Sequence, residues 1–210
     1  MSIELASMPE QKAEQAQRLA AFTGVNLLHI KRQVEQLLAQ IGGNGIFDEY
    51  TKHDISHIDA LLNLLATVII PSDTVAVMST AEWLMVVLAV YFHDLGMLVT
   101  KAEFKSRDHS DFPAFRSRVL LTADNPGKDY KARLSQLSDD ERERFLYQEF
   151  VREHHAKRIR DWIEGAAPNA FGFAKETAVA RDDLLRISRL SSVPTWRWFA
   201  KAIILTISRI

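Results

Sequence analysis

The sequence predicts an all-α fold, and three observations carry that reading. Apolar residues recur at steps of three and four along most of the chain, the period of a helix with one buried face. Serine is followed three residues later by glutamate at Ser79 with Glu82 and at Ser138 with Glu141, the capping-box signature of a helix start. No segment alternates as a strand does, and no internal repeat or linker emerges, so the 210 residues are read as one domain around one core.

From Pro9 to Ile41 the residues Leu19, Phe22, Leu27, Ile30, Val34, Leu37, Leu38 and Ile41 follow helical spacing, with a break expected near Gly24 and a stop at the GGNG run, Gly42 to Gly45. Residues 1–45 are therefore read as a helical extension packed on the domain that follows. A second helix carries Ile55, Ile58, Leu61, Leu62, Leu65 and Ile69 and ends before Pro71. A third opens at the Ser79 box, carries the apolar run Trp83 to Phe92, and ends at Gly96 just after His93 and Asp94. The stretch from Thr100 to Gly127 is polar, contains proline and is weakly periodic. It is read as a long excursion with short helical pieces, the kind of connection that often lines a site.

The Ser138 box opens a long helix through Phe145, Phe150, Ile159, Trp162 and Ile163 to a stop at Gly165. A further helix is expected over 176–190. Residues 46–192 are read as the domain proper and 193–210 as an apolar tail. Trp196, Trp198, Phe199, Ile203 and Ile204 in that tail need burial, against the chain itself or in self-association.

Composition narrows the function classes. A hydrophobic fraction of 47% and a charged fraction of 25% describe a folded, soluble chain. A net charge of −1 gives no global attraction to nucleic acid or to an anionic membrane, so a polyanion would need a local patch. The absence of cysteine excludes disulfides, thiolate zinc sites and cysteine nucleophiles, and any metal must sit on His, Asp or Glu. MSIELASMPEQKAEQ lacks the basic and apolar regions of a signal peptide, and Trp83 to Phe92 is far short of the ~20 apolar residues of a spanning helix. The expected location is the cytoplasm, with no membrane partner.

Five of the seven histidines fall in three clusters. His53 and His57 are one helical turn apart, a spacing that suits two ligands of one ion, or one ligand and one substrate contact, and equally two polar residues near a helix start. His93 and Asp94 are adjacent, about 100° apart on a helix, so both reach one ion only where the helix is ending. The apolar approach to them implies that the Asp94 carboxylate is buried and needs a partner, a hydrogen bond or a metal, unless the pair simply reaches water at the helix end. His53-Asp54 is also a His-Asp dipeptide, without an apolar run before it. In FVREHHAKRI, His154 and His155 stand among Arg152, Lys157 and Arg158, and adjacent histidines cannot share a face. A solvated basic face accounts for that cluster as well.

Taken in order, YTKHDISHIDALL, LAVYFHDLGM and FVREHHAKRI resemble the motifs of the HD-domain superfamily of metal-dependent phosphohydrolases, over roughly Phe47 to Ile163. Within it the chain is most similar to a bacterial version with H-x-x-x-H in the first motif and R-x-x-H in the third, found in conflict or stress systems whose proteins also carry a GHKL-type ATPase region. The resemblance implies an HD-domain-like helical bundle. It implies a divalent transition metal, Mn, Fe, Zn, Co or Ni, held by His57, His93, Asp94 and His155. It gives Asp94, His53 and Lys101 catalytic roles, and phosphate contacts to Arg152, His154, Lys157 and Arg158. The substrate implied is a nucleotide or related phosphoester, and an ATPase domain is the implied partner.

Two departures bear on this. Ala60 stands where many members have an arginine, and the final Asp of the superfamily has no matching motif. Asp182 and Asp183 are the late aspartates beyond the third-motif helix, and neither is assigned as a ligand. The bundle is accordingly read as lacking its C-terminal helices. Two other classes of function stay open: an HD-type metal- or nucleotide-binding module without turnover that regulates an ATPase or a stress or defence partner, and a helical interaction module whose histidines are structural.

Overall fold

The computed structural model describes residues 4–41, 54–121, 130–165 and 181–182, and among these there are nine α-helices and no strand. The fold is an all-α bundle. The expected helix over 176–190 falls outside the described residues except at 181–182, and the tail 193–210 lies outside them entirely. So does the expected loss of C-terminal helices.

Helix α1 (Met8–Glu14) starts with a capping box that the sequence reading passed over, Ser7 with Glu10, and has Pro9 in its first turn. Two short 3-10 segments, Gln15–Arg18 and Ala20–Phe22, then fill the break expected near Gly24. Helix α2 (Leu27–Leu38) begins after Asn26, whose side chain accepts a hydrogen bond from His29 N at 2.9 Å. Leu19 therefore does not belong to the stripe that continues through Leu27, and it is exposed. Helix α3 (Ile55–Leu64) passes into a π turn, Leu65–Ile69, closed by Ile70 N donating to Leu65 O at 2.9 Å. A short helix the sequence reading did not anticipate, α4 (Ser72–Val77), follows Pro71.

Helix α5 (Thr80–Phe92) opens with the expected capping box, Ser79 N donating to Glu82 at 2.8 Å. It is apolar on every side, and such a helix has to be surrounded. Trp83, Leu84, Val87, Leu88, Val90, Tyr91 and Phe92 are all buried. Helices α1, α2 and α3 pack on α5, and the chain leaves it through a 3-10 turn, His93–Met97, that lies against the last long helix.

The excursion contains more regular structure than its sequence suggests: α6 (Lys101–Lys105), a 3-10 turn Arg107–His109, and α7 (Phe112–Leu121). After α8 (Tyr130–Ser135), helix α9 runs the full expected length, Asp139–Glu164, from the Ser138 box to Gly165 at φ +70°, the left-handed cap that favours glycine. Edge-to-face pairs join α6, α7 and α9: Phe112 with Tyr147 at 5.1 Å, Phe104 with Tyr147 at 5.3 Å and Phe115 with Phe150 at 5.5 Å.

A buried polar cluster ties the N-terminal helices to the rest. Lys31 Nζ donates to Asp59 at 2.7 Å and to the Glu4 carbonyl at 3.0 Å, and pairs with Glu10 at 2.8 Å, which occupies all three ammonium protons. Tyr91 on α5 donates to the same Glu10 oxygen, Oε1, at 2.6 Å, while Ser7 N and Oγ donate to Oε2. Burial works to raise the Glu10 pKa, but the bonds from Lys31, Tyr91 and Ser7 outweigh it and hold the carboxyl below its ordinary value. Burial likewise works to lower that of Lys31, and Asp59 and Glu10 outweigh it and raise it.

Candidate metal centre

The centre is built where α5 gives way to the 3-10 turn. His93 and Asp94 are the first two residues of that turn, and the Asp94 carboxylate meets both the His93 ring and His57 on α3. His93 Nε2 lies 3.0 Å from Asp94 Oδ2, and His57 Nε2 from α3 lies 3.5 Å from the same oxygen. The imidazoles of His57 and His93 are 5.7 Å apart between centroids. His57 is set by the start of its helix. Asp54 caps α3, its carboxylate accepting from Ser56 N at 2.9 Å and His57 N at 3.3 Å, so His57 occupies the first turn. The other His-Asp dipeptide thus supplies a helix cap.

One ligand atom from each of His57, His93 and Asp94 lies within 4.8 Å of the other two. Bonds of ~2.1 Å to a single ion require donor atoms roughly 3 to 4 Å apart, so a set with spacings of 3.0 and 3.5 Å needs little adjustment to take one. The donor chemistry agrees. His93 Nδ1–H donates to the Val90 carbonyl at 2.6 Å, which fixes the tautomer and leaves the neutral ring's Nε2 lone pair facing Asp94 and His57. Two imidazole nitrogens and one carboxylate oxygen suit a divalent transition ion. The His93 and Asp94 side chains are each 8% exposed and that of His57 is 43% exposed, so the group is open to solvent on the α3 side. Burial disfavours the His93 imidazolium, but the Asp94 carboxylate and the Val90 carbonyl outweigh burial, and its pKa is raised.

The other expected site residues fall differently. His53 lies outside the described residues. His155 is not in the group: its Nδ1–H donates to the Arg152 carbonyl at 2.7 Å, on its own helix. His154 donates to the Phe150 carbonyl at 2.8 Å and packs its ring on Phe150 and Phe115, on the side of α9 that meets α7. Arg152 and Lys157 are about half exposed and pair along α9 with Glu149 and Asp161. Lys101 is the exposed first residue of α6. Asp182 pairs with its neighbour Arg181 and is largely exposed.

Arg158, expected as a phosphate contact, is corrected by its burial. It is fully enclosed, and its guanidinium pairs with Glu103 at 2.7 Å and donates to the carbonyls of Gly96 and Leu98 at 2.7 and 2.8 Å. Its partners Glu103 and Tyr147, joined by a 3.0 Å bond, were absent from the sequence reading. A signal was there: Thr100 and Glu103 have the spacing of a capping box, and Thr100 does cap α6, yet the Glu103 carboxylate turns inward to Arg158. Desolvation raises the Glu103 pKa and Arg158 and Tyr147 oppose the rise without cancelling it.

The enclosure of the turn shows what Gly96 contributes. A Cβ on Gly96 would stand 2.0 Å from the His155 carbonyl oxygen. Gly96 has no left-handed φ among the described residues, where Gly165 alone does, so its requirement is close approach to α9 rather than a helix stop.

A family model described as HD-CE matches residues 47–196, well over half of the chain. No curated protein and no solved structure is matched. The matched span contains α3, the His93–Met97 turn and α9, and with them every member of the His57, His93 and Asp94 group. The chain belongs to the HD-CE family, an HD-domain family with a His and Asp group fit to hold a metal ion.

Proposed function

We propose that the chain is a cytoplasmic metal-dependent phosphohydrolase acting on a nucleotide or related phosphoester. The observation that carries this reading is the convergence of His57, His93 and Asp94 from two separate elements onto one partly open position. A divalent ion held there supplies Lewis acidity toward a phosphoryl oxygen and lowers the pKa of coordinated water. The chain's own residues do the rest. The Val90 carbonyl keeps the proton of His93 on Nδ1, so Nε2 stays a donor of its lone pair. Asp94 is buried while His57 is partly exposed, and burial strengthens the electrostatic contacts of the carboxylate. Arg152, Lys157 and Lys101, all at the surface, are the cations proposed for the substrate phosphate, with arginine suited to a bidentate contact.

A second reading rests on a specific observation. Among the described residues no other His, Asp or Glu joins the group, so three protein donors are present where the superfamily resemblance implies more. On that reading the chain binds metal or nucleotide without turnover and serves the ATPase-domain partner that the resemblance implies.

The test is elemental analysis of the untagged chain after reconstitution with Mn²⁺, Co²⁺ or Zn²⁺, beside His93→Ala and Asp94→Ala, followed by assay on a chromogenic phosphodiester and on nucleotides. The proposal expects near-stoichiometric metal in the parent, loss of most of it in both variants, and turnover that follows the metal. Metal without turnover on any phosphoester selects the second reading. Equal metal content in all three proteins overturns the assignment of the centre.

A further inference from the structure

Arg158 stands apart from the other cations of its helix. Arg152, Lys157 and Arg160 pair with carboxylates on α9 itself and keep 52%, 48% and 25% of their side chains exposed. Arg158 has no exposure at all and reaches across to a different element. Burying a guanidinium is costly unless charge and hydrogen bonds are all answered, and a well-packed apolar residue usually fills such a place at lower cost. Here the answer is complete in a particular direction: Nη1 faces Glu103, while Nε and Nη2 take the carbonyls of Gly96 and Leu98. Those two carbonyls sit at the exit of the turn that carries His93 and Asp94, where a helix end leaves its acceptors without intrahelical donors. Gly96 itself is pressed against the backbone of α9 at His155.

We propose that Arg158 is a positioning residue for the metal centre, fixing the Gly96 and Leu98 carbonyls to α9 so that His93 and Asp94 are held at the spacing His57 requires. This rests on the reading of His57, His93 and Asp94 as a metal centre. The planar fork is what the role needs, because Nε and Nη2, held at a fixed angle, lock the two carbonyls relative to each other. A lysine ammonium keeps the charge and loses that geometry. Glu103 completes the arrangement by neutralising the buried charge, and Tyr147 orients Glu103.

The test is a Co²⁺ titration of the full chain, followed by visible absorption and by calorimetry, for the parent, Arg158→Lys, the double variant Arg158→Met with Glu103→Gln, Ser138→Ala and His93→Ala. The double variant removes the buried charge together with its counter-charge while leaving Tyr147 an acceptor, so it keeps its fold even where a lone lysine is not tolerated. Groups that orient metal ligands typically cost 10- to 100-fold in affinity when lost, and both Arg158 variants are expected in that range, with a changed ligand-field spectrum. Ser138→Ala, which weakens the far end of α9, is expected to lower thermal stability and leave Co²⁺ affinity and spectrum as in the parent. Parental affinity and spectrum in the two Arg158 variants, with binding lost in His93→Ala, would overturn the positioning role and leave the metal centre standing. A parent chain that binds no Co²⁺ overturns the metal centre and the role of Arg158 with it.

Discussion

Gly96 has no side chain because none would fit. The nearest atom to an added Cβ is a backbone oxygen in the middle of α9, so neither partner can swing aside as the end of a flexible side chain could. Gly96→Ala is expected to cost about 3 kcal/mol, at the upper end of ordinary overpacking, and to part the turn from α9. Urea unfolding checks it: a lower midpoint at unchanged slope is the expected result, and a midpoint equal to the parent's would mean that the close approach is not rigid. At this scale the apolar run before His93 and Asp94 pointed to a buried carboxylate in need of a partner or to a pair reaching water at a helix end, and the burial of Asp94 decides for the first. His57 joined them only through the order of the three motifs. The sequence misled at Arg158, since a cation two residues from Ala156 and beside Lys157 looks like part of a solvated face. What separates Arg158 from its neighbours is an acceptor 62 residues away, which helical periodicity cannot register.

The helices themselves were largely legible. Ser79 with Glu82 and Ser138 with Glu141 mark the starts of α5 and α9, and Gly165 marks an end, because capping is local chemistry within four residues. The joints between helices were not. Glu10 and Tyr91 are 81 residues apart, and Lys31 and Asp59 are 28 apart, so a cluster that fastens α1, α2, α3 and α5 reads in sequence as unrelated surface charge. That cluster sets an expectation for pH. The folded Glu10 carboxyl titrates below its ordinary value of 4.5, so the stability it contributes is present above that value and is lost as pH falls through the folded pKa. Lys31 titrates above its ordinary value of 10.5, so its contribution persists through the neutral range. Glu10→Gln leaves Lys31 buried with less counter-charge, which costs about 3 kcal/mol at pH 7, or roughly 6 to 12 °C in Tm for a chain of this size. The gap between parent and variant is expected to narrow progressively below pH 4.5. A gap that stays constant from pH 7 to pH 3 would show that the Glu10 charge contributes nothing to the joint.

For the molecule as a whole, a metal ion on the His57, His93 and Asp94 group would fasten parts of the chain that no single helix connects. His57 stands on α3, His93 and Asp94 on the turn after α5, and that turn is pinned to α9 through Gly96 and Arg158. An ion bound to the folded chain and not to the unfolded one stabilises every element so fastened, by about 2.7 kcal/mol at a hundredfold excess over Kd. That corresponds to a rise of roughly 5 to 11 °C in Tm for a chain of this length. Protons compete for the same lone pair. The raised pKa of His93 means that its protonated, Asp94-paired ring stabilises the metal-free fold at low pH, and that this contribution disappears as pH rises through the folded pKa. Metal binding needs the neutral ring, so it gains over the same interval. The Tm difference between Co²⁺-loaded and chelator-treated protein is therefore expected to be larger at pH 8 than at pH 6, and to vanish at both in His93→Ala. Differential scanning fluorimetry at the two pH values decides it, and a gain independent of pH, or one retained in His93→Ala, would place the bound metal somewhere other than on this turn.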